Sequence, residues 1–285
     1  MSERFDTVSF LSDYGTADEF VGVVKGVIRD LARHVTVIDL THEVPVHDVR
    51  AGSLTLARCI QYVPAGVVLA VVDPGVGTER RAVAVEVAGG AGVLVGPDNG
   101  LLAPAVAMAG GVGRCVALTD DQFHLAAPGR TFAGRDVFAP VAAHLCNGVD
   151  LLELGETVDP LGLLPGLVPL SREEGDTVVG EVLWVDRFGN AQLNVGPDEV
   201  AGWGERVRLR LGDEVRAATV ADTYAGIGSG IGLVVDSYGL LSVALDRRSA
   251  ARELDLAAGD PVVLSPLTDP QELGSTTAVQ LRPRS

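Results

Sequence analysis

Val67-Val68-Leu69-Ala70-Val71-Val72-Asp73-Pro74-Gly75-Val76-Gly77-Thr78-Glu79-Arg80-Arg81 is the stretch whose reading decides the fold. The run from Val67 to Val72 is apolar and rich in β-branched residues, long enough for one buried strand. It stops at a carboxylate, Asp73. Pro74 keeps Asp73 extended, and Gly75 and Gly77 let the backbone turn tightly. After the arginines a second strand is expected, with Val83, Val85 and Val87 alternating. Carboxylate, tight loop and guanidinium thus meet at the carboxyl end of a strand, where open α/β sheets bind their ligands. On these residues alone, a salt-bridged surface turn is the alternative.

Upstream the same grammar repeats. Val8 to Leu11 is a short strand that ends in Ser12-Asp13-Tyr14-Gly15, a second carboxylate at a strand tip. Thr16 and Glu19 have capping-box spacing. Phe20, Val23, Val24, Val27, Ile28 and Leu31 then recur at helical spacing. Val35 to Leu40 is the next strand, so the opening reads strand, helix, strand, which implies a parallel pair. Asp48 is placed to cap a helix that Pro64 stops. Downstream, Gly89 to Gly92 turn the chain into Val93–Val95. Gly96-Pro97-Asp98-Asn99-Gly100 is a turn signal. Leu101 to Met108 is expected to be helical, and Thr131–Asp136 leads into a further helix with Asp136 as cap and Gly148 as stop.

From Leu161 to Pro169, Gly and Pro break the chain, and this is read as the linker. Beyond it, short strands recur with few helical stretches: Val178–Val185, Ala191–Val195, Val207–Leu211, Val215–Val220, Gly232–Val235, Leu240–Leu245 and Val262–Leu264. That rhythm suggests a small β-barrel. The expected architecture is therefore α/β: an N-terminal domain over 1–165, a mainly parallel sheet flanked by helices, and a C-terminal β-barrel domain over 166–285. Ala225-Gly226-Ile227-Gly228-Ser229-Gly230 has glycines spaced like a dinucleotide fingerprint. It lacks the following helix and sits among strands, so it is discounted.

Composition narrows the function. The 285 residues suffice for a real core, and 47% are hydrophobic while only 5% are aromatic, so the core must be aliphatic. Net charge is −16 with no basic cluster, which makes nucleic acid a poor partner. Cys59, Cys115 and Cys146 form no CxxC pair, and His34, His42, His47, His124 and His144 form no HxxxH or HExxH pattern, so neither disulfides nor a metal site is expected. No signal peptide is evident and no apolar run is long enough for a bilayer. A soluble cytoplasmic protein that does not engage a membrane is the expectation.

Each charged motif has a plain alternative. Asp13 can grip a ribose diol or simply hold a turn. The turn Asp186 to Asn190 can offer a carboxylate to an ammonium and an amide to a purine, or be an ordinary hairpin loop. Ser237-Tyr238-Gly239 is also a hairpin-turn sequence, and His47 lies in a loop. Taken together, however, SDYG, THEVPVHDVRAG, VVDPGVGTERR, GPDNGLL, TFAGRDVFAP, WVDRFGNAQLN and DSYGLLSVAL form an ordered series. The series closely resembles the S-adenosylmethionine hydroxide adenosyltransferases, relatives of the bacterial fluorinase and chlorinase. The resemblance runs from Phe10 to about Asp260.

The resemblance implies an N-terminal α/β domain, a C-terminal barrel, a homotrimer with sites between neighbouring subunits, and no cofactor. It implies displacement at the ribose C5′ of S-adenosyl-L-methionine by water or hydroxide, releasing adenosine and methionine. Asp73 and Arg80 match the water-handling pair, and halogenating relatives have an aromatic residue at the Asp73 position. Asp13 matches the ribose-binding aspartate, Asp186 the acid near the methionine ammonium, and Asn190 and Ser237 the adenosine or methionine contacts. His47, Tyr224, Tyr238 and Asp246 complete the expected substrate contacts, with Tyr224 a stacking face for adenine and Asp246 standing where many relatives carry Asn. One position departs: hydrolases usually have His in a TFHGRD block, and here it is Ala133. Either Asp73 and Arg80 suffice, or another group such as His47 or His124 compensates, or activity is weak or altered. An S-adenosylmethionine- or adenosine-binding protein with little turnover and a halide-using adenosyltransferase are the rivals.

Overall fold

The computed structural model describes residues 5–267. The chain divides into two compact units, the first ending at Val168 and the second beginning at Pro169.

The first unit is built from β1 (Thr7–Ser12), α1 (Phe20–Leu31), β2 (Thr36–Thr41), α2 (Val49–Ile60), β3 (Gly66–Val71), β4 (Ala82–Val87), β5 (Gly92–Pro97), α3 (Ala103–Met108), β6 (Cys115–Ala117), α4 (Ala139–Cys146) and β7 (Glu156–Thr157). The strands form one sheet in the order β2-β1-β3-β5-β4-β6-β7. β2, β1, β3 and β5 are parallel, and β4, β6 and β7 continue antiparallel. The apolar run of β3 is explained by burial on both faces. Val67, Leu69 and Val71 pack with Val24 and Ile28 of α1 and Val141 and Leu145 of α4. Val68, Ala70 and Val72 pack on the other face with Leu56 and Ile60 of α2 and Ala105 and Val106 of α3. A residue added or lost in β3 would therefore exchange its two faces.

The chain leaves β1 for β2 on one side and leaves β3 for β4, beyond β5, on the other. The crevice beyond the carboxyl ends of β1 and β3 is thus a topological switch point, the favoured ligand position of an open α/β sheet. Ser12 pairs with Val71 across it, so Asp13 and Asp73 leave the tips of neighbouring strands.

Local signals held unevenly. Asp48 caps α2, its carboxylate accepting from the Ala51 amide at 2.8 Å. Gly148, at φ +88°, ends α4 as expected, with the Gly148 and Val149 amides returning to the Leu145 and His144 carbonyls. The capping box at Thr16 and Glu19 does not form. α1 starts at Phe20 without a side-chain cap, and the Thr16 hydroxyl donates instead to Glu43 at 3.2 Å. Nor does Asp136 cap a helix: it lies inside a π-turn, Gly134–Phe138, and accepts a two-pronged contact from Arg135. Part of the expected linker belongs to the first unit. The Leu164 amide donates to Asp98, and Arg81 reaches the Gly162 carbonyl.

The second unit holds β8 (Arg172–Glu174), β9 (Thr177–Val185), β10 (Ala191–Leu193), β11 (Arg206–Leu211), β12 (Glu214–Ala221), β13 (Ile231–Val235), β14 (Leu241–Ala244), α5 (Ala250–Glu253) and β15 (Pro261–Pro266). The order β10-β14-β13-β12-β11-β15-β9-β8, closed by pairing of β10 with β9, makes a barrel. Val178, Val182, Leu193, Val207, Leu209, Leu233, Val243, Val262 and Leu264 fill it. Closure removes the unpaired edges that would otherwise invite association. Among the described residues, no helix is long and apolar enough to cross a membrane. No cluster of three or more His, Cys, Asp or Glu is placed there to hold a metal.

Candidate active site

The loop between β3 and β4 is shaped to return Arg80 onto Asp73. Thr78 donates its hydroxyl to the Gly75 carbonyl at 2.6 Å, and the Val76 amide donates to the Asp73 carbonyl at 3.2 Å. Gly77 has φ +79°, and a Cβ there would press on the Arg130 carbonyl. The result is a forked ion pair. Arg80 Nε lies 2.8 and 3.0 Å from the two Asp73 oxygens, and Nη2 closes the second prong. The Asp73 side chain is only 5% exposed and that of Arg80 15%, so this is not a surface turn. The Phe138 ring backs the guanidinium at 5.3 Å. Asn99, from the second turn motif, donates to the Val72 carbonyl at 2.9 Å and fixes the strand end just before Asp73.

Asp13 is held in a complementary way. Its Oδ2 accepts the His47 amide at 2.9 Å, which leaves Oδ1 for another partner. His47 has φ +67°, a left-handed conformation unusual for a residue with a side chain. Asp13, Tyr14, Phe20, His47, Asp73 and Ala133 line one cavity of about 310 Å3. Asp13, His47 and Asp73, expected from sequence as site residues, are therefore brought together, with Ala133, the position that departs from the family, beside them. On the far side of Arg80 lies a larger polar cavity of about 930 Å3, and Ala133 borders both. His124 lines that second cavity rather than the first.

Ser12, His42 and Asp39 are hydrogen-bonded in series, at 2.8 Å and 3.1 Å, in the order of a hydrolytic triad. Ser12 is fully buried, so no substrate reaches it. The chain braces the tip of β1, since Ser12 Oγ also accepts the Tyr14 amide.

In the second unit, Asp186, Asn190, Tyr224, Ser237 and Tyr238 line a cavity of about 290 Å3 with Trp184, Gln192 and Asp236. Asp246 sits in the turn after β14 and is not among these lining residues. Asp186 is already engaged. Oδ1 accepts the Phe188 and Asn190 amides and Oδ2 the Asn190 side-chain amide, each at 2.8 Å. Asp236 was not anticipated from sequence; it accepts the Tyr238 amide at 2.9 Å and the Gln192 amide group. Burial first, then Asp186 and Asp236, hold the Tyr224 phenol above its ordinary range, so it is a neutral ring with a donor hydroxyl.

Two family models match this sequence: the SAM hydroxide adenosyltransferase N-terminal domain over residues 8–155 and its C-terminal domain over 180–263. The chain belongs to the SAM hydroxide adenosyltransferase family. A Salinispora tropica protein named (R)-S-adenosyl-L-methionine hydrolase is 46% identical, over 89% of this chain and 95% of its own length. A fluorinase from an Actinoplanes species is 27% identical over 90% of this chain and 97% of its own. A crystal structure of an uncharacterized conserved protein from Thermotoga maritima aligns with TM-score 0.83 and 34% identity, covering 90% of this chain and 99% of that one.

Tyr14 is the residue that sequence reasoning quoted but left without a role. A Cβ on Gly134 would overlap its hydroxyl oxygen, so glycine is required there. With only 4 Tyr in the chain, its place beside Asp13 was the available signal.

Proposed function

We propose that this chain cleaves S-adenosyl-L-methionine with water, giving adenosine and L-methionine. The observation that carries the reading is the forked Asp73–Arg80 pair at the tip of β3, whose carboxylate lines the pocket that also holds Asp13. The sulfonium leaves as a neutral thioether, so the leaving group needs no general acid. What the protein must supply is a water held in line behind C5′ and stripped of competing solvent. Asp73 accepts that water's proton or holds it by a hydrogen bond, and Arg80 offsets the hydroxide-like charge. Asp13 Oδ1 takes the ribose hydroxyls. Asp186, Asn190, Tyr224, Ser237 and Tyr238 take the adenosine and methionine ends. Asp246 is a substrate contact by resemblance alone, outside the residues that line the cavity of Asp186 and Asn190.

The name of the Salinispora relative specifies the (R) form, and we extend the reading to that sulfonium epimer. Halide as nucleophile is disfavoured, because a carboxylate at Asp73 would repel an anion. Incubating the purified protein with each epimer, with and without halide, and separating the products tests all of this. Adenosine supports hydrolysis, a 5′-halo nucleoside supports halogenation, and intact bound ligand supports a binder with little turnover, the rival that Ala133 keeps open.

We further propose a homotrimer with sites between subunits. A stable, fully active monomer in light scattering would reject it. The free thiols, with Cys115 and Cys146 buried, suit the cytoplasm.

Asp186 offers a quantitative check. Asp186→Asn should weaken S-adenosylmethionine by about one to two decades, since a hydrogen bond to a charged group contributes roughly 1.5–3 kcal/mol. Adenosine, which has no ammonium, should lose much less. Because Asp186 also accepts two backbone amides of its own turn, equal loss for both ligands would mean that it shapes the turn and does not meet the ammonium.

A further inference from the structure

We infer that the Tyr14 hydroxyl is the third group around the nucleophilic water, beside Asp73 and Arg80. This deepens the hydrolase reading and rests on it.

The ring is held before any ligand arrives. Phe10 and Phe132 meet it edge-on, with centroids 6.4 and 5.7 Å away, and Phe20 meets it tilted at 5.7 Å. Phe20 and Phe132 pack on each other at 5.0 Å, so the cluster is closed. That is a concentration of rings in a chain with 7 Phe and 4 Tyr. At the backbone, the Tyr14 amide is tied to Ser12 Oγ, and through it to His42 and Asp39. The ring therefore has little freedom, and its hydroxyl has a fixed address.

That address is set by Gly134. The hydroxyl oxygen lies where a Cβ on Gly134 would be, next along the chain from Ala133. Tyr14, Asp73, Ala133 and Gly134 all line the same cavity. The Tyr14 hydroxyl is not among the buried side-chain atoms without a partner. Among the described residues it makes no hydrogen bond within the protein, so it opens on the pocket and is available to a guest.

Its chemistry suits a water rather than an anion or a base. Burial, then the carboxylates of Asp13 and Asp73, push the phenol well above its ordinary value, with Arg80 opposing. The group stays protonated at any working pH. It has one donor and a lone pair to offer. A water between Asp73 and Tyr14 gives one hydrogen to the carboxylate. It also exchanges a hydrogen bond with the phenol, which leaves an oxygen lone pair aimed at C5′. As that lone pair forms the C5′–O bond, the C5′–S bond breaks and its electron pair remains on sulfur as the neutral thioether. The water's proton passes to Asp73, and Tyr14 keeps its own. The Ala133 side chain contributes no polar atom to this arrangement, and the Tyr14 hydroxyl, over the adjacent Gly134, places one on the same wall of the cavity.

The test is Tyr14→Phe, which removes one oxygen and keeps the ring in its cluster. The expected result is a fall in kcat of about 10- to 100-fold, with KM for S-adenosylmethionine within about threefold and an unchanged melting temperature. An undiminished kcat overturns the inference. So does a rise in KM that matches the whole loss in kcat/KM, because the hydroxyl would then bind substrate. Ala133→His gives an independent reading. The imidazole should restore part of the rate in the Tyr14→Phe background and none in the wild-type background, where the hydroxyl already fills the place. The same gain in both backgrounds overturns the inference. If wild-type protein releases no adenosine from either sulfonium epimer, the hydrolase reading fails and takes this inference with it. If wild type turns over and Tyr14→Phe matches it, only the inference fails.

Discussion

Replacing Asp73 with Asn should lower the turnover of S-adenosylmethionine by about 10²–10³ while leaving its binding nearly unchanged, the usual cost of losing one positioned charge-stabilising group. The side chain keeps its size, so the pocket keeps its shape. What goes is the negative charge that takes up the water's proton as the C5′–O bond forms. An interaction realised mainly in the transition state appears in kcat and not in KM. Calorimetric titration with adenosine and with substrate, set beside single-turnover rates, separates the two. A loss confined to affinity would make Asp73 a binding residue and end the water-handling assignment.

The same substitution has a structural consequence that must be measured with it. Asp73 and Arg80 are both largely buried, and breaking a buried pair by removing one partner typically costs about 3–5 kcal/mol. Arg80 would be left between Phe138 and a neutral amide. A melting curve on the Asp73→Asn variant therefore belongs to the experiment, so that a rate measured on partly unfolded protein is not mistaken for chemistry. Arg80→Lys supplies the complementary case. It keeps the charge but loses the fork that holds both carboxylate oxygens. It should cost less stability than Arg80→Ala and still slow the reaction.

Local chemistry made some parts of this molecule legible in the sequence and hid others. The Val67–Val72 run is legible as a buried strand because burial on both faces leaves no polar position, and the ion pair is legible because Pro74, Gly75 and Gly77 force a short return. Asp48 is legible because a cap acts on an amide three residues away. Thr16 misleads because its hydroxyl finds Glu43, a partner 27 residues distant that no local pattern contains. Asp136 misleads because Arg135 beside it takes both carboxylate oxygens and a π-turn replaces the helix start. Asn99 looks like a turn residue, and it is one, yet its amide also fixes the strand end ahead of Asp73. The Tyr14 hydroxyl depends on three rings and a glycine drawn from separate stretches of chain. Asp246 carries a role by resemblance alone, and it is not among the residues that line the cavity of Asp186 and Asn190.

Asp98→Ala should be strongly destabilising although it lies outside the catalytic pocket. The Asp98 side chain is 5% exposed and saturated with donors: Arg81 Nε at 2.9 Å, Arg81 Nη2 at 2.6 Å and the Leu164 amide at 2.8 Å. Arg81 in turn holds the Gly162 carbonyl. One carboxylate thus pins the segment from Gly162 to Leu164 onto the sheet. Removing it leaves the Leu164 amide without its acceptor and a guanidinium without its counter-ion. Arg81 is 41% exposed and can turn toward water, so about 3 kcal/mol is expected, the low end for a broken buried pair. For a chain of this size that corresponds to a melting temperature lower by roughly 6–12 °C. Leu161, Leu167 and Leu170 are already exposed, so the loosened segment should also become the first site of limited proteolysis. Turnover should fall as well, but by less than in Asp73→Asn. Asn99 is the next residue, and if its turn shifts, the Val72 carbonyl loses the amide that holds the β3 tip. A variant that melts within about a degree of wild type, with the segment still resistant to protease, would show that Asp98 does not anchor it.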